Sequence, residues 1–311
     1  MLLGKPILVV GAGGLFGRYV APELIVKSAR VRGLVHHDRA EAVARSTGVT
    51  DIVRADLRDE KAVRRALDGI GGVFYIPPKF LPDEAELGVR LVELAAEAGV
   101  ERFVFSGVMY PFITDMHNHH AKLPVELALI KSGMAFTILL PTNLMQSTEA
   151  FFWAKVLETG EYVEPWAQDK KICYVDYRDV AEVAAKALTE DGLQHGVFDL
   201  SAAGVISRED IVAMMTEALG RPITTRTQPI DEWNNENMPP DLVLRNAFAD
   251  IDRFYSRYGF PGGNDLVLRT ILGRPPRTMK AYINELAARS LGMTHPGKRT
   301  AIWSERRHFR D

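Results

Sequence analysis

Three features of the 311-residue chain predict an α/β fold, a doubly wound parallel sheet carrying a smaller, mainly helical C-terminal lobe. Short β-branched runs alternate with helical periodicity about five times through the first half, the pattern of strands joined by crossover helices. Several of these runs are apolar throughout rather than alternating, as strands covered on both faces must be. The first run leads straight into a glycine-rich turn, Gly11-Ala12-Gly13-Gly14-Leu15-Phe16-Gly17, and that turn into a helix.

Taken in order, the strands expected are Ile7–Val10, Val31–His36, Thr50–Arg54, Gly72–Ile76, Arg102–Phe105 and Phe136–Leu140. Helical spacing fills the intervals near Leu15–Lys27, Arg39–Ser46, Glu60–Leu67, Asp83–Ala98 and Ala121–Lys131, with Gly99 and Gly133 placed as C-caps. After Pro141 the rhythm changes. A helix near Ser147–Leu157 precedes a polar segment, Glu158–Lys171, then a short strand, Ile172–Val175, and a helix, Tyr177–Leu188. A strand at Val197–Leu200 and a helix at Arg208–Leu219 follow. The stretch Ile230–Gly263 predicts an irregular region with one or two helices, and a last helix spans about Thr278–Ser290. Residues 1–142 plus about 172–200 form the expected first domain. Residues 143–171 plus 201–290 form a substrate or partner lobe, and 291–311 a C-terminal arm.

Composition narrows the function. Lys and Arg number 38 against 40 Asp and Glu, a net charge of −2, which argues against a nucleic-acid or anionic-membrane partner. The single cysteine, Cys173, allows no intrachain disulfide and fits a reducing compartment. No apolar run nears the roughly 18 residues of a membrane span. The first residues also lack the charged-then-apolar order of a signal peptide. A cytoplasmic protein with a small-molecule ligand is expected. The tail carries Lys298, Arg299, Arg306, Arg307 and Arg310, and reads as a solvated arm or one docking on a second copy or a protein partner.

The glycine turn carries the ligand prediction. Gly11 permits the tight turn at the strand end, Gly14 lets backbone approach a pyrophosphate, and Gly17 lets the helix pack on the strand. Helix N-terminal N–H groups near Leu15 and Phe16 then face the phosphates. At the end of the second strand an acidic residue would take the adenosine ribose hydroxyls of NAD(H). Here His36 stands at that place and Arg39 opens the next helix, a pair better suited to a 2′-phosphate, so NADP(H) is preferred over NAD(H). Asp38, turned inward, would reverse the preference. After the third strand, Asp56 is placed on the adenine amino group and Leu57 on the ring, the alternative for Asp56 being a helix N-cap. Ile76 and Pro77 end the fourth strand on the cleft side.

With these pieces in place, the chain resembles the NmrA-like family of atypical short-chain dehydrogenase/reductases. The resemblance rests on Gly11–Gly17, Ala55-Asp56-Leu57, Glu101–Ser106, His119–Glu126, Thr137–Gln146, Asp176–Ala181, Phe198–Ser201 and Ala218–Pro222. It covers roughly residues 5–225 and, more loosely, the chain to Leu286. It implies a Rossmann fold and an NAD(P)(H) cofactor, with Pro141 and Asn143 assigned to its site. It implies either a reductase acting on a carbonyl, enone or quinone-like acceptor or a non-catalytic, cofactor-sensing regulator.

Ordinary short-chain dehydrogenases carry a Tyr four residues before a Lys, with a Ser after the preceding strand. Lys122 and Ser106 match the Lys and Ser, but Asn118 stands where the Tyr would be. Lys122 is assigned to the nicotinamide ribose or substrate, the alternative being a surface lysine paired with Glu126. On a helix over Asn118–Lys131, His119 and Glu126 share its face, and the neighbouring ammonium would keep His119 neutral. His119 and Tyr110 are the substitute proton donors, against structural roles for a packed imidazole and a packed aromatic. Asp115, His117, His119 and His120 also read as metal-ligand types, but adjacent His119 and His120 diverge on a helix, at most three of the four converge easily, and no metal is assigned. The substrate pocket is expected to be closed by Tyr110, Asn143, Met145, Phe151–Trp153 and Trp233.

Overall fold

Runs rich in Val, Ile, Leu and Phe form the strands β1 (Ile7–Val10), β2 (Val31–Val35), β3 (Asp51–Arg54), β4 (Gly72–Tyr75), β5 (Arg102–Ser106) and β6 (Ala135–Pro141). The computed structural model describes residues 4–78 and 80–292. A further strand, Gly196–Leu200, pairs in parallel with β6. The resulting seven-stranded sheet has the order Gly196–Leu200, β6, β5, β4, β1, β2, β3. All its pairings are parallel. The chain moves outward from β1 to β3, then crosses back to β4 on the other side of β1. Such a reversal opens a crevice at the carboxyl ends of the two strands, where open α/β sheets bind ligands.

The crossover helices are α1 (Val20–Val26), α2 (Asp38–Ser46), α3 (Glu60–Leu67), α4 (Glu84–Glu97), the single turn α5 (His117–His120) and α6 (Leu123–Lys131). Strands β1, β4 and β5 are buried along their whole length. On one face Leu8, Val73, Tyr75, Phe103 and Phe105 pack with Leu91, Leu94, Val125 and Leu129 of α4 and α6. Each such side chain contributes about 1.5–3 kcal/mol on burial. Side-chain caps fix two helix starts: His37 Nδ1 accepts from Ala40 N at 3.1 Å, and Asp59 accepts from Ala62 N at 3.0 Å.

Two helices begin later than periodicity predicts, and proline accounts for both. Pro22 has no N–H to give to the preceding turn, so it is accommodated in the first turn of α1, which starts at Val20. Residues Gly17–Tyr19 before it form a tighter 3-10 turn. Pro124 acts alike in α6, which starts at Leu123 and is separate from α5. The continuous helix expected over Asn118–Lys131 is therefore broken at Ala121–Lys122.

The chain divides into two compact units. The first contains the sheet and comprises residues up to Thr142, Tyr177–Leu200 and Leu266–Pro275. The second comprises Asn143–Asp176, Ser201–Asp265 and, among the described residues, 276–292. Two segments thus differ from expectation. Residues 172–176 were expected with the sheet, but Tyr174–Val175 pairs with Asn143–Leu144 inside the second unit. The helix Leu266–Leu272, expected in the lobe, joins the first unit, where Lys186 Nζ donates to Ile271 O at 2.8 Å.

Within the second unit, Trp153, Val156, Tyr162, Ile211, Met215, Tyr282, Ile283 and Leu286 form the core. Its helices include Arg208–Leu219, started by a reciprocal Ser207–Asp210 cap, Leu242–Tyr258 and Met279–Ser290. The segment expected as merely polar, Glu158–Lys171, contains a strand, Glu161–Glu164, paired in parallel with Thr224–Thr227. Glu164 disguises it: the carboxylate is buried and neutralised by Arg208, with Tyr162 donating to it at 2.8 Å. Cys173 is buried and donates to Pro261 O at 3.3 Å. Among the described residues no helix is long and apolar enough to cross a membrane. The arm expected at 291–311 lies outside the described residues from Met293 on.

Candidate active site

The glycine turn closes at the end of β1. Gly11, at φ +75°, adopts a conformation that favours glycine. Its N–H and that of Ala12 bond to Leu34 O of β2 at 3.0 and 3.3 Å, and Gly14 N–H returns to Gly11 O at 2.8 Å. A methyl group on Gly17 would lie 2.2 Å from Gly11 O, so the helix can rest on the turn only through a glycine. One requirement escaped the sequence reading: a methyl on Gly13 would lie 1.8 Å from Ala40 O, because the turn is pressed against the first turn of α2. The signal for it was the extra glycine inside the three-residue glycine spacing. Gly14 differs from both, being exposed, with only Gly11 O within reach of a methyl, at 3.1 Å. Leu15 and Phe16 precede the 3-10 turn rather than opening a regular helix, a correction to their expected position. Among the described residues no backbone carbonyl accepts from Leu15 N–H. Phe16 is buried with its ring 5.2 Å from that of Tyr177.

Next to this turn stand the ends of β2, β3 and β4. Ile76 is 3.9 Å from where a methyl on Gly11 would sit, and Pro77 beside it is buried. His36 is exposed, its Nε2 3.4 Å from Asp56 Oδ2, and Arg39 is exposed in the first turn of α2. The Asp38 carboxylate is ion-paired with Arg54 at the end of β3, and Arg54 also holds Glu41 at 3.0 Å. Arg54 was not singled out from the sequence; the parallel register that sets it beside Val35 brings it to this corner. Asp56 is not a helix cap, since Asp59 fills that role. Its Oδ1 accepts from Arg58 N at 2.9 Å, a side-chain turn that holds the strand exit in place. Leu57 packs on the edge of the core.

The end of β5 and the chain to α6 hold the groups expected to do chemistry. Lys122 is buried, and its ammonium is bound to Glu84 of α4, itself 1% exposed. The alternative of a surface lysine paired with Glu126 does not hold. His119 is buried, its Nδ1 3.1 Å from Tyr110 O, and its pKa is lowered to about 4. The leading cause is burial, with Lys122 a smaller contributor, which corrects the expected cause of its neutrality. Tyr110 sits at φ +58° in the loop so held, with its ring 5.7 Å from Phe112. Ser106 is buried and accepts from Tyr177 O–H at 3.0 Å. Pro141 ends β6, and its carbonyl accepts from Met109 N at 2.9 Å. The glycine turn, β-strand ends, His119 and Lys122 all belong to the first unit. Asn143 belongs to the second, where its amide donates to Tyr255 Oη at 2.9 Å. Among the described residues no three His, Cys, Asp or Glu side chains are grouped to hold a metal ion.

A glycine turn between β1 and its crossover helix, set at the reversal of a seven-stranded parallel sheet, defines a Rossmann-type α/β protein. The NmrA-like family matches residues 4–264, and the chain belongs to that family. It is 28% identical over 287 residues to an NAD(P)H azoreductase of Xenophilus azovorans, covering 91% of this chain and 98% of that protein. It is 24% identical over 291 residues to quinone oxidoreductase 2 of Escherichia coli, covering 90% and 98%. Among solved structures, the NADPH complex of an E. coli NADPH-dependent quinone oxidoreductase superposes with a TM-score of 0.76 at 21% identity, covering 90% of this chain and 99% of that one. The negative transcriptional regulator NmrA superposes with a TM-score of 0.73 at 17% identity, covering 93% and 97%.

Proposed function

We propose that this chain is an NAD(P)H-dependent reductase that passes hydride to a small conjugated acceptor, such as a quinone, enone or azo compound, and prefers NADP(H). The observation that carries the reading is the contrast within the glycine turn. Packing demands Gly13 and Gly17, whereas Gly14 is exposed with little against it, as a site for backbone approach to a pyrophosphate requires. Relatives of near full-length match whose names are reductases supply the chemistry.

In this reading Gly11, Gly14, Leu15, Phe16 and Gly17 hold the pyrophosphate, and Ile76 and Pro77 border it. Asp56 and Leu57 take the adenine, His36 and Arg39 the 2′-phosphate, and Pro141 and Lys122 the nicotinamide end. The pairing of Asp38 with Arg54 supports the NADP(H) preference, because it engages the carboxylate that would otherwise favour ribose hydroxyls. When bound, the dihydronicotinamide supplies the hydride. The chain fixes its ribose through Lys122, anchored by Glu84, and holds the Tyr110 loop through His119.

Titration of the protein with NADPH and NADH by tryptophan fluorescence, followed by cofactor oxidation with a panel of quinones, enones and azo dyes, tests the reading. Turnover of at least one class with tighter NADPH binding is expected. Tight binding with no turnover supports a second reading, a non-catalytic redox sensor, which Asn118 in place of the usual tyrosine favours.

A further inference from the structure

The usual proton source of this fold is missing here, since Asn118 has no acidic proton and the Lys122 ammonium is held by Glu84. Yet hydride addition to a conjugated acceptor leaves an anion that must take a proton. Glu126 lies one turn into α6, with its carboxyl against Gly107, the residue that follows β5. A methyl built on Gly107 would be 3.4 Å from Glu126 Oε1, 3.3 Å from Leu140 and 3.2 Å from Phe105. Gly107 thus leaves room for the carboxyl at the carboxyl end of the sheet, on the ligand side of the fold. Glu126 Oε1 is buried and has no hydrogen-bond partner among the described residues. Glu126 as a whole is half-buried, and a buried carboxylate oxygen in a folded protein is usually paired, so an unmatched Oε1 fits a bound ligand or a proton. His117 Nε2, Asn118 Oδ1 and His120 Nδ1, in the turn that precedes α6, are likewise buried atoms without a hydrogen-bond partner among the described residues.

We propose that Glu126, as a carboxylic acid, donates the proton that completes reduction of the acceptor, a role that rests on the reductase reading above. Hydride from NAD(P)H adds to the electrophilic carbon, and the π electrons move to the carbonyl oxygen at the far end of the conjugated system. That oxyanion takes the proton from the Glu126 carboxyl: one O–H bond breaks, another forms, and solvent reprotonates the carboxylate. The surroundings are consistent with this protonation state. Burial raises the Glu126 pKa to about 7, opposed by Lys122. Lys122 is the charge that acts on it; Glu84 of α4 is bound to that lysine, and His119 of the preceding turn is held neutral by burial. The ends of β5 and β6 contribute Phe105, Gly107 and Leu140, which carry no charge.

The test compares Glu126→Gln and Glu126→Asp with the wild type, using an acceptor that the wild type reduces, across pH 5.5–9. Wild-type kcat is expected to fall as pH rises through about 7, where the acid is lost. Glu126→Gln is expected to lose about 100-fold or more in kcat with NADPH affinity unchanged, and to lose that pH dependence. Glu126→Asp, still an acid, is expected to recover part of the rate and the falling limb. Glu126→Gln within about threefold of wild type overturns the proposal while the reductase reading stands. So do equal defects in Glu126→Gln and Glu126→Asp with an unchanged pH profile, or a loss of NADPH binding in Glu126→Gln. A wild type that binds NADPH and reduces no acceptor overturns the reductase reading, and this proposal with it.

Discussion

Alanine at Gly14 should separate binding from folding. A methyl there has one close neighbour, Gly11 O at 3.1 Å, which has to yield by a few tenths of an ångström. Replacing glycine by alanine at a tolerated position stabilises by about 0.4–1 kcal/mol through the unfolded chain, so contact and entropy nearly cancel. Gly14→Ala is therefore expected within about 1 kcal/mol of wild type in urea unfolding. At Gly17 the same methyl meets a backbone oxygen at 2.2 Å, and at Gly13 one at 1.8 Å, so backbone must move. Overpacking of that kind costs about 1–3 kcal/mol or more. Dinucleotide affinity should invert the ranking of Gly14. A methyl on the exposed face of the turn stands where the pyrophosphate would approach, and a loss of about 1.4–3 kcal/mol corresponds to about 10–150-fold in Kd for NADPH. Urea midpoints and fluorescence titrations of the three variants decide it. A Gly14→Ala protein that binds NADPH like the wild type, or one destabilised as much as Gly17→Ala, would refute the assignment of that glycine to the ligand.

Three further outcomes follow from side chains of the first unit. Glu84→Gln leaves the buried Lys122 ammonium without its carboxylate and should cost about 3–5 kcal/mol in urea unfolding, and Glu84→Gln with Lys122→Met should recover most of it. Arg54→Ala releases Asp38 and should lower the NADPH-to-NADH affinity ratio by about tenfold, read by fluorescence titration; an unchanged ratio removes Arg54 from the 2′-phosphate corner. Burial holds His119 at about 4 against its ordinary 6.5, so the unfolded chain takes up the proton first as pH falls. Stability should then be insensitive to His119 above about 6.5 and decline between there and about 4, by up to about 3 kcal/mol. His119→Gln should flatten that decline in unfolding measured at pH 5 and 7.5.

The sheet was legible because its strands are apolar on both faces, and the glycine turn because its spacing is local. What the sequence concealed was set by partners far along the chain. For Lys122 the local spacing offers Glu126, four residues on, as the alternative to a ligand role. The lysine binds Glu84 instead, 38 residues earlier, because α4 packs on α6 and brings that carboxylate beside it. The strand at Glu161–Glu164 was hidden by a glutamate whose counter-charge, Arg208, lies 44 residues away. The Pro22 and Pro124 signals were present in the sequence and were outweighed by apolar periodicity. Neutrality of His119 was anticipated from a neighbouring charge, whereas burial, which no local pattern reveals, is the larger cause.

The same long-range pairing bears on the proposed chemistry. A Tyr–Lys couple suits acceptors whose reduction leaves a strongly basic alkoxide, because the lysine makes the phenol available for a shared proton. With the tyrosine absent and the lysine bound to Glu84, the proposed donor is the Glu126 carboxyl, and its reach is set by the basicity of the anion that hydride addition leaves. A phenol-like oxyanion has a conjugate acid near 10, the ordinary value for tyrosine, about three decades above a carboxyl poised at about 7. Proton transfer from Glu126 to such an anion runs downhill by about 4 kcal/mol, with no need for an activated tyrosine. An alkoxide, more basic still, would take the same proton, so the donor's acidity excludes no carbonyl acceptor, and any preference for quinones or enones has to arise in the hydride step.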